Sequence, residues 1–321
     1  METFDCHSDI LIDVTVKRGK GEKNILKKYH LNSLKKGHIN GLIAAIWIDP
    51  PFINEPEKRL LDILGATCEE IDDMKYVAAI ACSVDDIYNI QKSGRIAVIL
   101  GIEGLNGINA NVSVLNMLYR IGLRHASLTW NEENEFATGV GSPNNERGVT
   151  DLGVLALKKM EELGILIDVS HANEKTFWDI YEKTTKPFIA SHSNVYNLYN
   201  DSRNLKDDQI KAIAERKGVI GINSWPGFIG KQPSVERLID HIDYIACLVG
   251  VDYVSLGFDF CDFFNTESLT FAKTNVIKTP GIENHSQVQN VLKILEKRGY
   301  NNVEIQKIAF KNIMRVFQEV L

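Results

Sequence analysis

Short apolar runs recur along the whole chain, each separated from the next by enough residues for a helix, and this alternation constrains the fold more than any other feature. The runs are Thr3–Phe4 leading into His7, Gly41–Trp47, Ile96–Ile102, Ala126–Trp130, Ile165–Val169, Phe188–Ala190, Val219–Ile222 and Tyr253–Phe258. Most are rich in β-branched or aromatic residues and end in polar ones, the pattern of strands buried on both faces in a parallel sheet. Amphipathic stretches lie between them. Leu152–Leu163, Asp207–Lys217, Val235–Val249 and His285–Arg298 stop at Gly164, Gly218, Gly250 and Gly299, and glycine is a common helix stop. Asn173 is placed to cap a helix through Ile180. Asn24–Lys36 and Pro56–Gln91 are less regular. Eight strands alternating with helices predict an α/β chain closed into a (β/α)8 TIM barrel rather than an open doubly wound sheet. No G-x-G-x-x-G follows the first run, which counts against the dinucleotide-binding form of the open sheet. No Pro-, Gly- or Ser-rich linker interrupts the pattern, so residues 1–321 read as one domain.

Ionisable residues gather where these runs end. His7 and Asp9 close the first run, Glu103 the third, His171 the fifth, His192 the sixth and Asp259 the eighth. In a barrel those ends share one mouth, where the loops build the active site. Taken singly, each has a plainer reading. His7-Ser8-Asp9 fits a surface turn, Glu103 fits a carboxylate at a helix start, and His171 or His192 fits a core histidine bonded to backbone. Taken together, they look like a metal cluster. Imidazole plus carboxylate without thiolate suits Zn²⁺, Mn²⁺ or Fe²⁺ and is poor for Mg²⁺ or Ca²⁺. Five ligands are too many for one open tetrahedral site. They suit two metals about 3.5–4 Å apart sharing one carboxylate, which is hydrolytic equipment. Asp168 stays open between a partner for a ligand and a structural acid. His30, His38, His125, His241 and His285 fall outside the pattern and read as structural or surface residues.

The formal net charge of −6 leaves no basic surplus for phosphates, so nucleic acid is not an expected partner. Five scattered cysteines without a CxxC pair read as reduced, intracellular thiols rather than a disulfide framework. The start METFDCHSDI has neither a basic leader nor an apolar signal core, and the longest apolar runs are too short for a bilayer. A cytoplasmic protein without a membrane segment is expected.

In combination and order these residues resemble the membrane (renal-type) dipeptidase family of zinc peptidases, across nearly the whole chain. The carriers are DCHSD at 5–9, GIEG at 101–104, RGVTDLG at 147–153, LGILIDVSH at 163–171, SHSN at 191–194, SRN at 202–204, LGFDF at 256–260 and KNIMRVF at 311–317. The resemblance implies a binuclear zinc dipeptidase. His7 and Asp9 would bind one Zn²⁺, His171 and His192 the other, and Glu103 would bridge them. Arg203 would receive the substrate's C-terminal carboxylate, a task suited to a guanidinium fork. Asp259 would carry the proton from a metal-bridged hydroxide to the leaving amine. The substrates would be free dipeptides, with a D-residue tolerated at the C-terminal position, and family members are often homodimers. The chain departs from the family at two points: the signal peptide and lipid-anchor signal of cell-surface members are expected to be absent, and one residue of the renal-type pattern differs. There a His follows the Leu-Thr that ends the fourth strand and is thought to steady the tetrahedral intermediate; here Leu128-Thr129 leads into Trp130, which is expected to shape the substrate pocket. Another metal-dependent amidohydrolase (amidase, deaminase or lactonase) on the same barrel is the alternative, and a non-catalytic binding protein a more distant one. A substrate without a free carboxylate has no need of Arg203, and the complete ligand set with Asp259 argues against loss of catalysis.

Overall fold

A computed structural model describes residues 1–264, 268–270 and 278–321. Its strands are β1 (Thr3–Ser8), β2 (Ile39–Trp47), β3 (Ala78–Ile80), β4 (Ile96–Glu103), β5 (Leu123–Ser127), β6 (Leu166–Asp168), β7 (Phe188–Ile189), β8 (Ile220–Ile222) and β9 (Val254–Leu256). One sheet runs in the order β1-β2-β4-β5-β6-β7, with β3 beside β4, and β8 and β9 form a second. Every pairing is parallel. A bridge between Ala190 and Ile220 links the two sheets, with Gly221 N–H donating to the Ala190 carbonyl at 2.8 Å and Ser193 N–H to the Gly221 carbonyl at 2.8 Å. At the other end, Asp259 N–H reaches the His7 carbonyl at 3.4 Å. The result is an α/β fold around a curled parallel sheet.

Strand alternation sorts the core. On β4, Ile96, Val98, Leu100 and Ile102 join the larger apolar cluster with the covering helices. Ala97 and Ile99 belong to a second cluster with Phe4, Cys6, Ile43, Leu166 and Ile189. Period-two geometry therefore puts Glu103 on the face of Ala97 and Ile99. The C-terminal helix Asn312–Val320 packs on this cluster, where Phe317 meets Phe4 edge-on at 5.3 Å.

The helices end much as their sequences suggest. Asn173 accepts a hydrogen bond from Thr176 N–H at 2.7 Å and caps Glu174–Lys183. Helix Asp151–Leu163 ends at Gly164 with φ 77°, and helix Val235–Val249 ends at Gly250. Two expectations shift. Pro56–Gln91 divides into helices Pro56–Asp73 and Val84–Lys92 around β3, which pairs with the first half of β4. The fourth strand is Leu123–Ser127 rather than Ala126–Trp130. The chain leaves the sheet at Leu128, whose carbonyl accepts from Leu105 N–H and from Asn134 Nδ2, so Trp130 stands in the following loop. No helix among the described residues is long and apolar enough to cross a membrane.

Candidate metal centre

Register brings the strand ends to one level. Trp47 at the end of β2 is the Cα partner of Glu103 at the end of β4. Glu103 pairs in turn with Ser127, and Ser127 with Asp168. On β1 the ladder slips between Asp5 and Ser8, three steps against the two from Leu42 to Ala44. Such a bulge re-aims a side chain, and here His7 reaches the carboxylates. His171 and Asp259, just past their strands, have φ of 69° and 56°, values that non-glycine residues seldom adopt. Gly104, directly after Glu103, has φ 84°, and a Cβ there would lie 2.9 Å from Trp130 N, so only glycine fits the turn.

The residues singled out in the sequence come together. Glu103 Oε1 lies 2.8 Å from His171 Nε2 and 3.4 Å from His192 Nε2. Its Oε2 faces His7 Nε2 at 3.8 Å, and that nitrogen lies 3.6 Å from Asp9 Oδ2 and 4.0 Å from Asp259 Oδ1. The donor atoms form two overlapping groups, His7 with Glu103 and His192, and His7 with Asp9 and Asp259. Asp259, expected to carry a proton, is thus also within ligand range.

The hydrogen bonds test whether these groups fit a cation. Asn131 Oδ1 lies 2.8 Å from His171 Nδ1 and, as an acceptor, assigns the proton to that nitrogen. Ser191 Oγ donates its only hydrogen to Asp168 Oδ2 at 2.5 Å, so His192 Nδ1, at 2.7 Å from Ser191 Oγ, must donate. Both Nε2 atoms then carry lone pairs, and they face each other at 2.9 Å. That contact is repulsive unless a cation meets both. Both ring nitrogens of His7 and Oδ1 of Asp9 are buried without a hydrogen-bond partner among the described residues. The donor set fits metal.

Burial and neighbouring charge set the electrostatics. Burial, with Arg203 and His7 nearby, holds His171 and His192 well below the usual histidine range, in the neutral form a metal requires. Burial also pushes Glu103 well up, reinforced by Asp9 and Asp259 and opposed by His7. For His7 burial works downward, but Glu103, Asp9 and Asp259 outweigh it and raise the group to about 10. Burial raises Asp259 as well, while Asn223 Nδ2 donates to its Oδ2 at 3.0 Å and fixes the carboxylate.

Asp9, Glu103, His171 and Asp259 border a cavity of about 500 Å³, also lined by Trp47, Trp130, Arg203, Phe228 and Phe264. Arg203 is 8% exposed. Its Nη2 donates to the His192 carbonyl at 3.3 Å, its Nε has no hydrogen-bond partner among the described residues, and its guanidinium lies 5.4 Å from the Phe228 ring centre. Trp130 lies 5.2 Å from Trp47 and 5.9 Å from His171, centre to centre. Sequence reasoning missed Asn131, Ser191 and Asn223. Only Ser191, beside His192, carried a local signal. Of the five histidines set aside, His38 is exposed and the other four are buried. His125 donates to Asp168 at 3.1 Å, His285 to Asp5 at 2.9 Å and His30 to Asp13 at 2.8 Å.

The sequence model of the membrane dipeptidase family (peptidase family M19) matches residues 1–321. An uncharacterized protein in the pqqA 5' region of Klebsiella pneumoniae is 32% identical over 249 residues, 74% of this chain and 87% of that protein. An uncharacterized dipeptidase of Schizosaccharomyces pombe is 31% identical over 261 residues, 78% of this chain but 59% of that protein. The chain therefore spans about three-fifths of that relative's length. A metallo peptidase from Rhodobacter sphaeroides, solved with a phosphinate mimic of the dipeptide L-Ala-D-Ala, superposes with a TM-score of 0.88 over 100% of this chain and 99% of its own, at 21% identity. That likeness establishes the fold. Matched from end to end by the family's sequence pattern and about one-third identical to a relative that it largely covers, the chain belongs to the membrane dipeptidase family.

Proposed function

We propose that this chain is a binuclear zinc dipeptidase that hydrolyses free dipeptides, including those with a D-residue at the C-terminal position, within one domain built on a closed (β/α)8 barrel. The observation that carries the reading is the division of Glu103. One carboxylate oxygen faces His171 and His192 and the other faces His7, beside a buried arginine in the same cavity. The Ala190–Ile220 bridge and the contact of Asp259 with His7 support closure of the sheet. The dipeptide mimic held by the Rhodobacter peptidase supports the substrate class. Five free cysteines suit a reducing compartment, so a cytoplasmic location belongs to the reading, as does a homodimer.

His7 and Asp9 would hold one Zn²⁺, His171 and His192 the second, and Glu103 would lie between them. The chemistry bound metal supplies here is Lewis acidity toward the peptide carbonyl and toward water. Arg203 receives the C-terminal carboxylate and so sets the peptide's direction across the cavity. Asp259, fixed by Asn223, accepts the proton of the attacking water through Oδ1. As the new C–O bond forms and the C–N bond breaks, it returns that proton to the leaving amine nitrogen. Trp130 walls the pocket.

The test is a dipeptide library, with D-residues at each position, on zinc-loaded protein of measured metal content. Hydrolysis of free dipeptides with close to two metals per chain is expected. Arg203→Ala should weaken kcat/KM for free dipeptides by about 10–100-fold, a charge-assisted contact of about 1.5–3 kcal/mol, with metal content unchanged. Equal losses on C-terminally amidated dipeptides would point to an amidase or another amidohydrolase instead.

A further inference from the structure

We propose that Asp168, acting through Ser191, and Asn131 are positioning residues that serve one metal position only, that of His192 and His171. The inference rests on the two-metal reading. Asp168 is 2% exposed and has no free acceptor left. Its Oδ1 accepts from the backbone N–H of Ser170 and of Ser191, both at 2.9 Å. Its Oδ2 accepts from Ser191 Oγ at 2.5 Å and from His125 Nε2 at 3.1 Å. Four donors from three segments hold the carboxylate against rotation. The Ser191 hydroxyl is thereby oriented with its lone pairs toward His192 Nδ1 at 2.7 Å. The imidazole is fixed as the tautomer whose Nε2 faces the cavity. Asn131 Oδ1, at 2.8 Å from His171 Nδ1, fixes the second imidazole in the same sense with a neutral acceptor.

The fold keeps room for this relay. A Cβ at Gly101 would stand 2.6 Å from His125 Nδ1. A Cβ at Gly221 or Gly257 would stand 1.9 Å or 1.8 Å from the Ser191 carbonyl oxygen. Glycines on β4, on β8 and just after β9 thus close around His125 and Ser191, and no larger side chain fits there. The other metal position is built differently. His7 Nδ1 and Asp9 Oδ1 are buried without a hydrogen-bond partner among the described residues. His7 is placed by its backbone instead, through its N–H to Asp5 Oδ1 at 3.3 Å.

Groups that orient metal ligands typically tune metal affinity by about 10–100-fold, so the two positions should respond separately. The experiment titrates the metal-free full-length protein with Co²⁺, followed by visible absorption and calorimetry. The wild type should show two binding steps. Ser191→Ala should weaken one step by about 10–100-fold and change its absorption band, and Asp9→Asn should weaken the other. Asn131→Leu should act on the same step as Ser191→Ala, whereas Asn131→Asp, which keeps an acceptor, should restore it. Asn131 stands half-buried in a loop, so this pair of variants remains informative if Ser191→Ala fails to fold. A single step in the wild type would sink the two-metal reading and this inference with it. Two wild-type steps that Ser191→Ala and Asn131→Leu weaken equally, or not at all, would overturn the inference alone.

Discussion

His171 and Asp259 hold left-handed backbone at the rim of the same cluster. Each such conformation costs about 1–3 kcal/mol and persists where its surroundings fix it; here it turns each side chain into the site. Under the proposed function Asp259 moves a proton, so this aim should matter to turnover. Asp259→Asn should lower kcat by about 10²–10⁴-fold, the usual contribution of general acid–base catalysis, while metal content stays the same. Loss of metal in that variant would make Asp259 a ligand. Trp130 calls for a different test. An indole has one N–H donor and does not titrate in the working range, and this one packs against Trp47 and His171. Trp130→Phe should leave kcat near normal, raise KM and broaden the dipeptides accepted. A fall of about 10²–10³-fold in kcat at unchanged KM is the signature of a lost oxyanion donor and would reassign the residue.

At the junction of β1 with β9 one carboxylate gathers three donors. Asp5, fully buried, accepts from His285 Nε2 at 2.9 Å through Oδ2, and from Phe258 N–H at 3.0 Å and His7 N–H through Oδ1. His285→Ala should strip that carboxylate of its side-chain partner and destabilise the protein by about 1–3 kcal/mol or more, read as a lower denaturant midpoint. An unchanged midpoint would show the latch to be dispensable. This latch also marks the limit of reading the chain by eye. His7, Asp9, Glu103, His171, His192 and Asp259 were legible because each ends an apolar run, and a parallel sheet brings such ends together. The Asp5–His285 pair is 280 residues apart, so no spacing announces it. Asn131 sits in a polar loop whose path back onto the strand ends depends on contacts rather than on periodicity. β3 is three residues long and lies between two helices, too short for alternation to register. The end of the fourth strand was misplaced because Leu128 and Trp130 are as apolar as strand residues, although the chain has already left the sheet.

At the scale of the whole molecule, Asp9, Glu103 and Asp259 are carboxylates brought together in one site with His7. A cation there should stabilise the fold as a bound ligand does, by about 4 kcal/mol at 1,000 times its dissociation constant. Chelation should lower the Tm by several degrees, and added Zn²⁺ should restore it. A Tm indifferent to metal would mean that the fold gains nothing from the ion. The small strand β3 has a further consequence. β5 pairs only with the second half of β4, from Leu100 to Glu103, and β3 covers the first half, from Ile96 to Val98. Without β3, that stretch would present unpaired backbone N–H and C=O groups flanked by isoleucine and valine, a ready template for strand addition by another chain. Three residues of modest sequence thus cap a strand edge, and a chain mispaired at Ala78–Ile80 should aggregate more readily, read as light scattering at matched concentration, even with the cluster at the strand ends intact.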